Sequence, residues 1–392
     1  MTLPASVVAA VRTASTPVCA YVYQRQALAA AVAAVREALP AGAGLLYAVK
    51  ANGHPEVVAQ FAGRCDGLEV ASGGELALAV AAGARRVAFG GPGKTDDELA
   101  AAVRAGAVLH VESVGELRRL AWTLGQGARW PGGGRVPVAV RVNRAGGALT
   151  GSHQMTGAAT PFGVDEAQLG EFVTAAGLAP GVRLVGFHLH AVSNSLDAKA
   201  YAAFVREAVA WAGAAAGQHG VDLRMVNVGG GLGVDYAGGE RFDLGALRVG
   251  LAGLELPPGV ELVFEPGRFL AADAGWYAAQ VLDLKRTHGR WFAVLRGGTH
   301  HFRLPAAWGY SHPFTVLPVD RWPYPFARPQ VVGVEVDAVG ELCTPRDVLT
   351  RGQRVDRLRV GDVLVFGRAG AYGWDISHHE FLRHPKPALI VV

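Results

Sequence analysis

Only five lysines stand among the 37 lysines and arginines of this 392-residue chain, so chemistry that needs a primary amine has few places to occur. They are Lys50, Lys94, Lys199, Lys285 and Lys386. Lys50 differs from the rest because it closes an apolar run, Leu45–Val49, within LLYAVKAN. A lysine at the end of an apolar strand is expected to be partly buried. Burial disfavours the ammonium form, which suits an amine that must form an imine. The position also fits a lysine whose stem lies on apolar surface while its head reaches water.

Two further groups could bind an anion. NVGGGLG (227–233) holds three consecutive glycines, which let the backbone approach an anion and offer it N–H groups. EPGR (265–268) follows, with Glu265 and Arg268 at the end of another apolar run. A glycine run alone could merely turn the chain. With Arg268 one strand later it makes a phosphate cradle. HLHAVS (188–193) adds His188 and His190, expected to point to opposite sides of the strand end, with one facing the site. Either could instead be a hydrogen-bonded core group. A metal would need a compact His/Asp/Glu set; the neighbouring acids do not supply one, so no metal is expected.

The elements that must position these groups repeat from about residue 45 to 268. Eight β-branched apolar runs alternate with Ala/Leu helical patterns: Leu45–Val49, Leu68–Ala71, Val87–Gly90, Val108–Val111, Val136–Val142, Leu184–His188, Met225–Val228 and Glu261–Phe264. That alternation predicts an α/β chain with a parallel (β/α)8 TIM-like barrel, its functional groups at the C-terminal strand ends. Ser72–Glu75, Thr95–Glu98 and Ser113–Glu116 read as capping boxes that open helices. The stretch 126–135 reads as a surface turn, and the polar loop 144–160 as a mobile βα segment. After Arg268 short strands punctuated by Pro and Gly predict an all-β C-terminal domain. The segment 1–24 reads as extended and joins it. The expected domains are therefore 25–268, and 1–24 plus 269–392.

Composition narrows the function classes. A net charge of +4 could suggest nucleic acid, but the basic residues are dispersed, so no nucleic-acid binding is expected. No apolar run is long enough to span a membrane, and the N-terminal text lacks a basic leader. Cys19, Cys65 and Cys343 show no paired spacing, which points away from a disulfide framework and towards the cytoplasm.

Seven ordered motifs spread over nearly the whole chain resemble the fold-type III pyridoxal-phosphate decarboxylases, the group of diaminopimelate and ornithine/arginine decarboxylases with an alanine racemase-like barrel. They are YAVKAN (47–52), ASGGEL (71–76), HLHAVS, NVGGGLG, EPGR, GELCTPRD (340–347) and GAYGWDISHHEFL (370–382). The resemblance implies pyridoxal 5'-phosphate held as a Schiff base on Lys50, with His190 stacked on its ring and Arg141 beside it. Ser193, Gly230, Gly231, Gly267, Arg268 and Tyr372 would hold the phosphate, and Glu265 would pair with the pyridine nitrogen, making the ring an electron sink. Cys343 would reprotonate the α-carbon from the partner subunit of a homodimer, with Asp347 nearby.

Three departures bear on the substrate. Val192 replaces a usual glycine, Glu69 stands where Asp is common, and Thr344 follows Cys343 where diaminopimelate enzymes carry an acid. The C-terminal motifs are more similar to the siderophore-biosynthetic branch, which implies a citryl-diamino acid conjugate such as citryl-2,3-diaminopropionate. His300, His301, Arg303 and His379, with Thr344 and Asp347, are the expected contacts to its polycarboxylate half. The alternatives are decarboxylation of a free basic or diamino acid, and a pyridoxal-phosphate-binding protein without turnover.

Overall fold

The computed structural model describes residues 2–145 and 149–392, so part of the loop 144–160 lies outside the described residues. The chain divides into two compact units. One comprises Ala29–Val234 and Glu240–Leu270; the other comprises Met1–Leu28, Asp235–Gly239 and Ala271–Val392.

The first unit is a closed barrel of eight parallel strands: Gly44–Ala48, Gly67–Val70, Val87–Phe89, Val108–Val111, Val136–Asn143, Val182–His188, Met225–Asn227 and Glu261–Phe264. Each expected strand is found within two residues of its place. The ring closes where the eighth strand pairs with the first through Val263↔Gly44 and Phe264↔Leu45. Leu46, Ala88, Ala139 and Met225, one from each odd-numbered strand, pack together in the interior with Val263. Such a layer fills the barrel, so ligands meet only its rim.

The helix starts follow the capping signals, with one refinement. Ser72, Thr95 and Ser113 each accept from the backbone N–H three residues on. Only Glu98 closes a reciprocal box, accepting from Thr95 N at 2.8 Å. Glu75 and Glu116 instead accept from the N–H one residue earlier, Ala71 at 2.7 Å and Glu112 at 2.9 Å.

The second unit is built on an eight-stranded sheet. Its long strand Gly275–Thr287 pairs antiparallel with Cys19–Tyr23, Arg290–Leu295 and Val363–Phe366. Cys19–Tyr23 also pairs in parallel with Ala388–Val391. One expectation fails here. Residues 5–13 form a helix, because Val7, Ala10 and Val11 recur at helical spacing and bury against Val22, Trp276 and Val365. The strand Val348–Arg359 went unread because its buried positions, Leu349, Thr350, Val355 and Leu358, do not alternate strictly and exposed arginines interrupt them.

Candidate active site

Lys50 lies just past the first barrel strand, in the 3₁₀ turn Val49–Ala51. Its Nζ donates to both oxygens of Glu69, at 3.2 and 3.0 Å, from the end of the second strand. The lysine side chain is 47% exposed and Glu69 only 5%, so the expected partial burial of Lys50 is replaced by a buried carboxylate partner. Burial raises the Glu69 pKa and the Lys50 charge opposes that rise.

Glu265, at the end of the eighth strand, is the centre of a buried polar cluster. Its Oε1 accepts from Asn227 Nδ2 at 2.6 Å, and its Oε2 lies 3.4 Å from His188 Nε2. His110 from the fourth strand places Nδ1 at 3.9 Å from Oε1 and stacks on His188 at 4.3 Å. The rings of His188 and His190 lie 6° from parallel, 6.4 Å apart. They share one side, contrary to the expectation, because residues two apart on a pleat face the same way. Burial pushes the pKa of His110, His188 and His190 well below the ordinary range, so all three are neutral. The cluster also supplies the compact His/Glu set that the sequence had not suggested: His110, His188 and Glu265 offer ligand atoms within 4.8 Å of one another.

The glycine run is built for close approach. At Gly229 (φ +69°) an added Cβ would lie 2.5 Å from His190 Nδ1; at Gly231 (φ +118°) it would lie 2.9 Å from Tyr201 Cε2. Gly229 N donates to Asn227 Oδ1 at 2.8 Å and Gly229 O accepts from Glu265 N at 2.8 Å, which fixes the turn beside the carboxylate. An added Cβ at Gly267 would meet Ala48 O at 2.9 Å. Arg268 opens a short helix and is buried. Ser193 Oγ lies 3.4 Å from His190 Nε2.

Behind these groups runs a buried ionic chain. Lys94 Nζ donates to Glu116 Oε1 at 2.8 Å with both side chains 3% exposed or less. Arg141 Nη1 donates to Glu112 Oε1 at 3.3 Å and lies over Phe162. Glu112 also accepts from Gly91 N and Gly163 N, each at 2.9 Å. Removing one member of such a pair typically costs about 3–5 kcal/mol, because the other is left buried and uncompensated. His110 and Glu112 went unnoticed in the sequence, and Lys94 and Asn227 were met there without a role. Each is a single polar residue within or beside an apolar strand, and burial there obliges it to find a partner.

In the sheet unit, Cys343 is exposed on the loop 340–347. Two carboxylates hold that loop. Asp347 accepts from Thr299 N at 2.6 Å and Leu342 N at 2.8 Å. Glu341 pairs with Arg296 and accepts from Gly297 N at 2.9 Å. His300 and His384 approach the same Glu341 oxygen at 3.7 and 3.6 Å. His300 and His301 are fully buried with ring centroids 3.8 Å apart. Burial lowers their pKa to about 4 and about 2. His379 stacks on Trp374 at 3.6 Å. Tyr372 is half-buried at φ +53°, a left-handed conformation. Arg303, Thr344 and His378 line a groove of about 1000 Å³ together with Tyr310, Arg346 and Arg351.

His312 supports a pH prediction. Its Nε2–H donates to Gly367 O at 2.7 Å, and burial lowers its pKa from 6.5 to about 4. The unfolded chain therefore binds a proton before the folded one. The stability this residue contributes is complete above about pH 6.5 and drains away as pH falls towards 4, at up to about 1.4 kcal/mol per pH unit. Urea unfolding at pH 7, 6 and 5 should show a shallower decline in His312→Gln than in the parent. Parallel declines would contradict the assignment.

Similarities to known proteins follow the same lines. Residues 25–272 match the family described as "Pyridoxal-dependent decarboxylase, pyridoxal binding domain". A 2-[(L-alanin-3-ylcarbamoyl)methyl]-2-hydroxybutanedioate decarboxylase of Staphylococcus aureus is 39% identical over 383 residues, covering 96% of this chain and 94% of its own length. A diaminopimelate decarboxylase of Deinococcus radiodurans is 34% identical, covering 95% of this chain and 89% of the relative. The crystal structure of diaminopimelate decarboxylase from Helicobacter pylori complexed with L-lysine is similar with a TM-score of 0.84 at 26% identity, covering 97% of this chain and 92% of that one.

Proposed function

Because this chain belongs to the pyridoxal-dependent decarboxylases, we propose that it removes the α-carboxylate of a citryl-diamino acid conjugate, such as citryl-2,3-diaminopropionate, in siderophore biosynthesis. The observation that carries the substrate reading is the 39% identity, end to end, with a decarboxylase of that chemical type.

The barrel rim fits the cofactor. The glycine run leaves no room for a Cβ at Gly229 or Gly231, and among the described residues the N–H groups of Gly230 and Gly231 have no protein acceptor. With Ser193, Gly267, Arg268 and Tyr372 they would hold the phosphate. Lys50 would carry the cofactor carbon, with Glu69 holding its amine in place. His190 would lie against the ring and Arg141 beside it. Glu265, kept in position by Asn227, would face the pyridine nitrogen. This reading makes Glu265 a ring partner instead of a metal ligand, since one of its oxygens is already taken by Asn227. When bound, pyridoxal phosphate supplies an electron sink for the charge left when carbon dioxide departs.

The chain's own residues do the remaining work. His110 and His188, buried and stacked beside Glu265, would pack around the carboxylate that faces the ring nitrogen and limit its access to water. The Cys343 thiol would return a proton to the α-carbon, so that carboxylate loss ends in a C–H bond. We assign Cys343 to the site of the partner subunit in a homodimer. Among the described residues no helix is long and apolar enough to cross a membrane. We place the enzyme in the cytoplasm, where its thiols would stay reduced.

A carbon dioxide release assay tests the substrate. Citryl-diaminopropionate should be turned over with a kcat/KM at least about a hundredfold above those of diaminopimelate, ornithine, lysine and arginine, the discrimination a dedicated charged pocket can supply. Preference for any free amino acid would overturn the siderophore reading and favour the second one, a basic or diamino acid decarboxylase.

A further inference from the structure

The groove of the sheet unit is lined by three arginines, Arg303, Arg346 and Arg351, with His378, and no aspartate or glutamate lines it. Five other arginines of the same unit are paired with acids: Arg290 with Asp337, Arg296 with Glu341, Arg328 and Arg359 with Asp362, Arg368 with Asp273. Among the described residues the three groove arginines have no acidic partner. A concave surface with three guanidinium groups and no carboxylate repels cations and lacks only its anion.

The backbone beneath each arginine is fixed although its head is not. Arg303 N donates to Ser377 Oγ at 3.0 Å. Arg351 N donates to Ser311 Oγ at 2.8 Å, and its carbonyl accepts from the same hydroxyl at 3.2 Å. Arg346 sits on the loop that Asp347 anchors through Thr299 and Leu342. An added Cβ at Gly298 or Gly340 would lie 2.6 or 2.2 Å from an Asp347 oxygen, so the loop seats directly against the carboxylate. Part of the ordering cost of binding is therefore met before a ligand arrives.

We propose that Arg346 and Arg351, with Arg303, form the subsite for a ligand group bearing two or more carboxylates, and that Arg346 and Arg351 determine specificity for it. This rests on the citryl-conjugate reading; Arg303 was already expected to meet the polycarboxylate half, whereas Arg346, although inside GELCTPRD, and Arg351 had been given no role. The hydroxybutanedioate end of such a substrate carries two carboxylates, each able to take a forked guanidinium. A free basic amino acid would instead bring an ammonium group into a cationic groove, and charge repulsion would exclude it.

The test uses the cofactor-loaded protein and citrate as the probe, followed by calorimetry at low ionic strength. Citrate should bind the parent, and Arg346→Gln and Arg351→Gln should each weaken it at least about tenfold, the loss of one charge-assisted pair. Arg383→Gln, an exposed arginine paired with Glu380, should leave the affinity unchanged. Thermal unfolding of each variant confirms that it is folded. In turnover, the two groove variants should raise KM for the conjugate and leave kcat close to the parent value. Citrate affinity and KM unchanged in both variants, with the conjugate still turned over, would overturn the subsite and spare the substrate reading. Turnover of free diamino acids alone would overturn both the substrate reading and the specificity role, while citrate binding lost in the variants would still uphold the groove as a carboxylate site.

Discussion

Replacing Lys50 by alanine is expected to give a folded, colourless protein whose turnover falls by at least about a thousandfold, the scale on which covalent and proton-transfer groups act. The parent, by contrast, should be yellow as purified or after incubation with pyridoxal phosphate. The substitution should be survivable because the lysine side chain is 47% exposed and contributes little to the barrel interior. Glu69 loses its partner, but burial already favours its protonated form, so the carboxyl can neutralise. The measurement is the visible absorption spectrum beside a carbon dioxide release assay, with circular dichroism as the folding control. A variant that keeps the parent's visible band would remove Lys50 from the role given to it. So would a parent that stays colourless with added cofactor.

The second large effect concerns Cys343. Its alanine variant should keep the cofactor band and lose about a hundred- to a thousandfold in clean decarboxylation, as expected for a missing general acid. The loop should survive, since its hold on the fold comes from Asp347 and Glu341, not from the thiol. If the thiol acts across a dimer, mixing the Lys50→Ala and Cys343→Ala proteins and allowing subunits to exchange should restore turnover. About a quarter of parental activity is expected, because half of the random dimers would each hold one intact site. No recovery despite demonstrated exchange would place both residues in one subunit's site or remove the shared-site arrangement.

The barrel was legible because a parallel strand buried on both faces must be a short β-branched run, whatever its chemistry. The residues that end such runs were legible for a related reason. Lys50, Glu265 and Arg268 break apolar patterns at places where a barrel displays function. The helix Ala5–Thr13 was not legible, since Val and Ala in a short segment serve helix and strand alike. His110 and Asn227 escaped because one polar residue within an apolar strand carries no sign of the partner it will meet; that partner, Glu265, lies far along the chain. In the sheet unit the histidines drew attention by their type, which carries no sign that His300 and His301 are buried. The groove is lined instead by arginines, of which Arg303 was named for its type, Arg346 passed as part of a motif and Arg351 drew no attention.

The pairing of Cys19–Tyr23 has a consequence for how the molecule comes into being. That strand lies between Gly275–Thr287 and Ala388–Val391, both made long after it. As the ribosome delivers the chain, the barrel strands can close on one another while the earliest strand still waits with unpaired edges. The barrel should therefore be the first protease-resistant unit to emerge during synthesis, and the sheet the last. A chaperone that shields the waiting segment would act on the residues before Arg25, and arrest of synthesis ahead of residue 388 would leave that strand half paired.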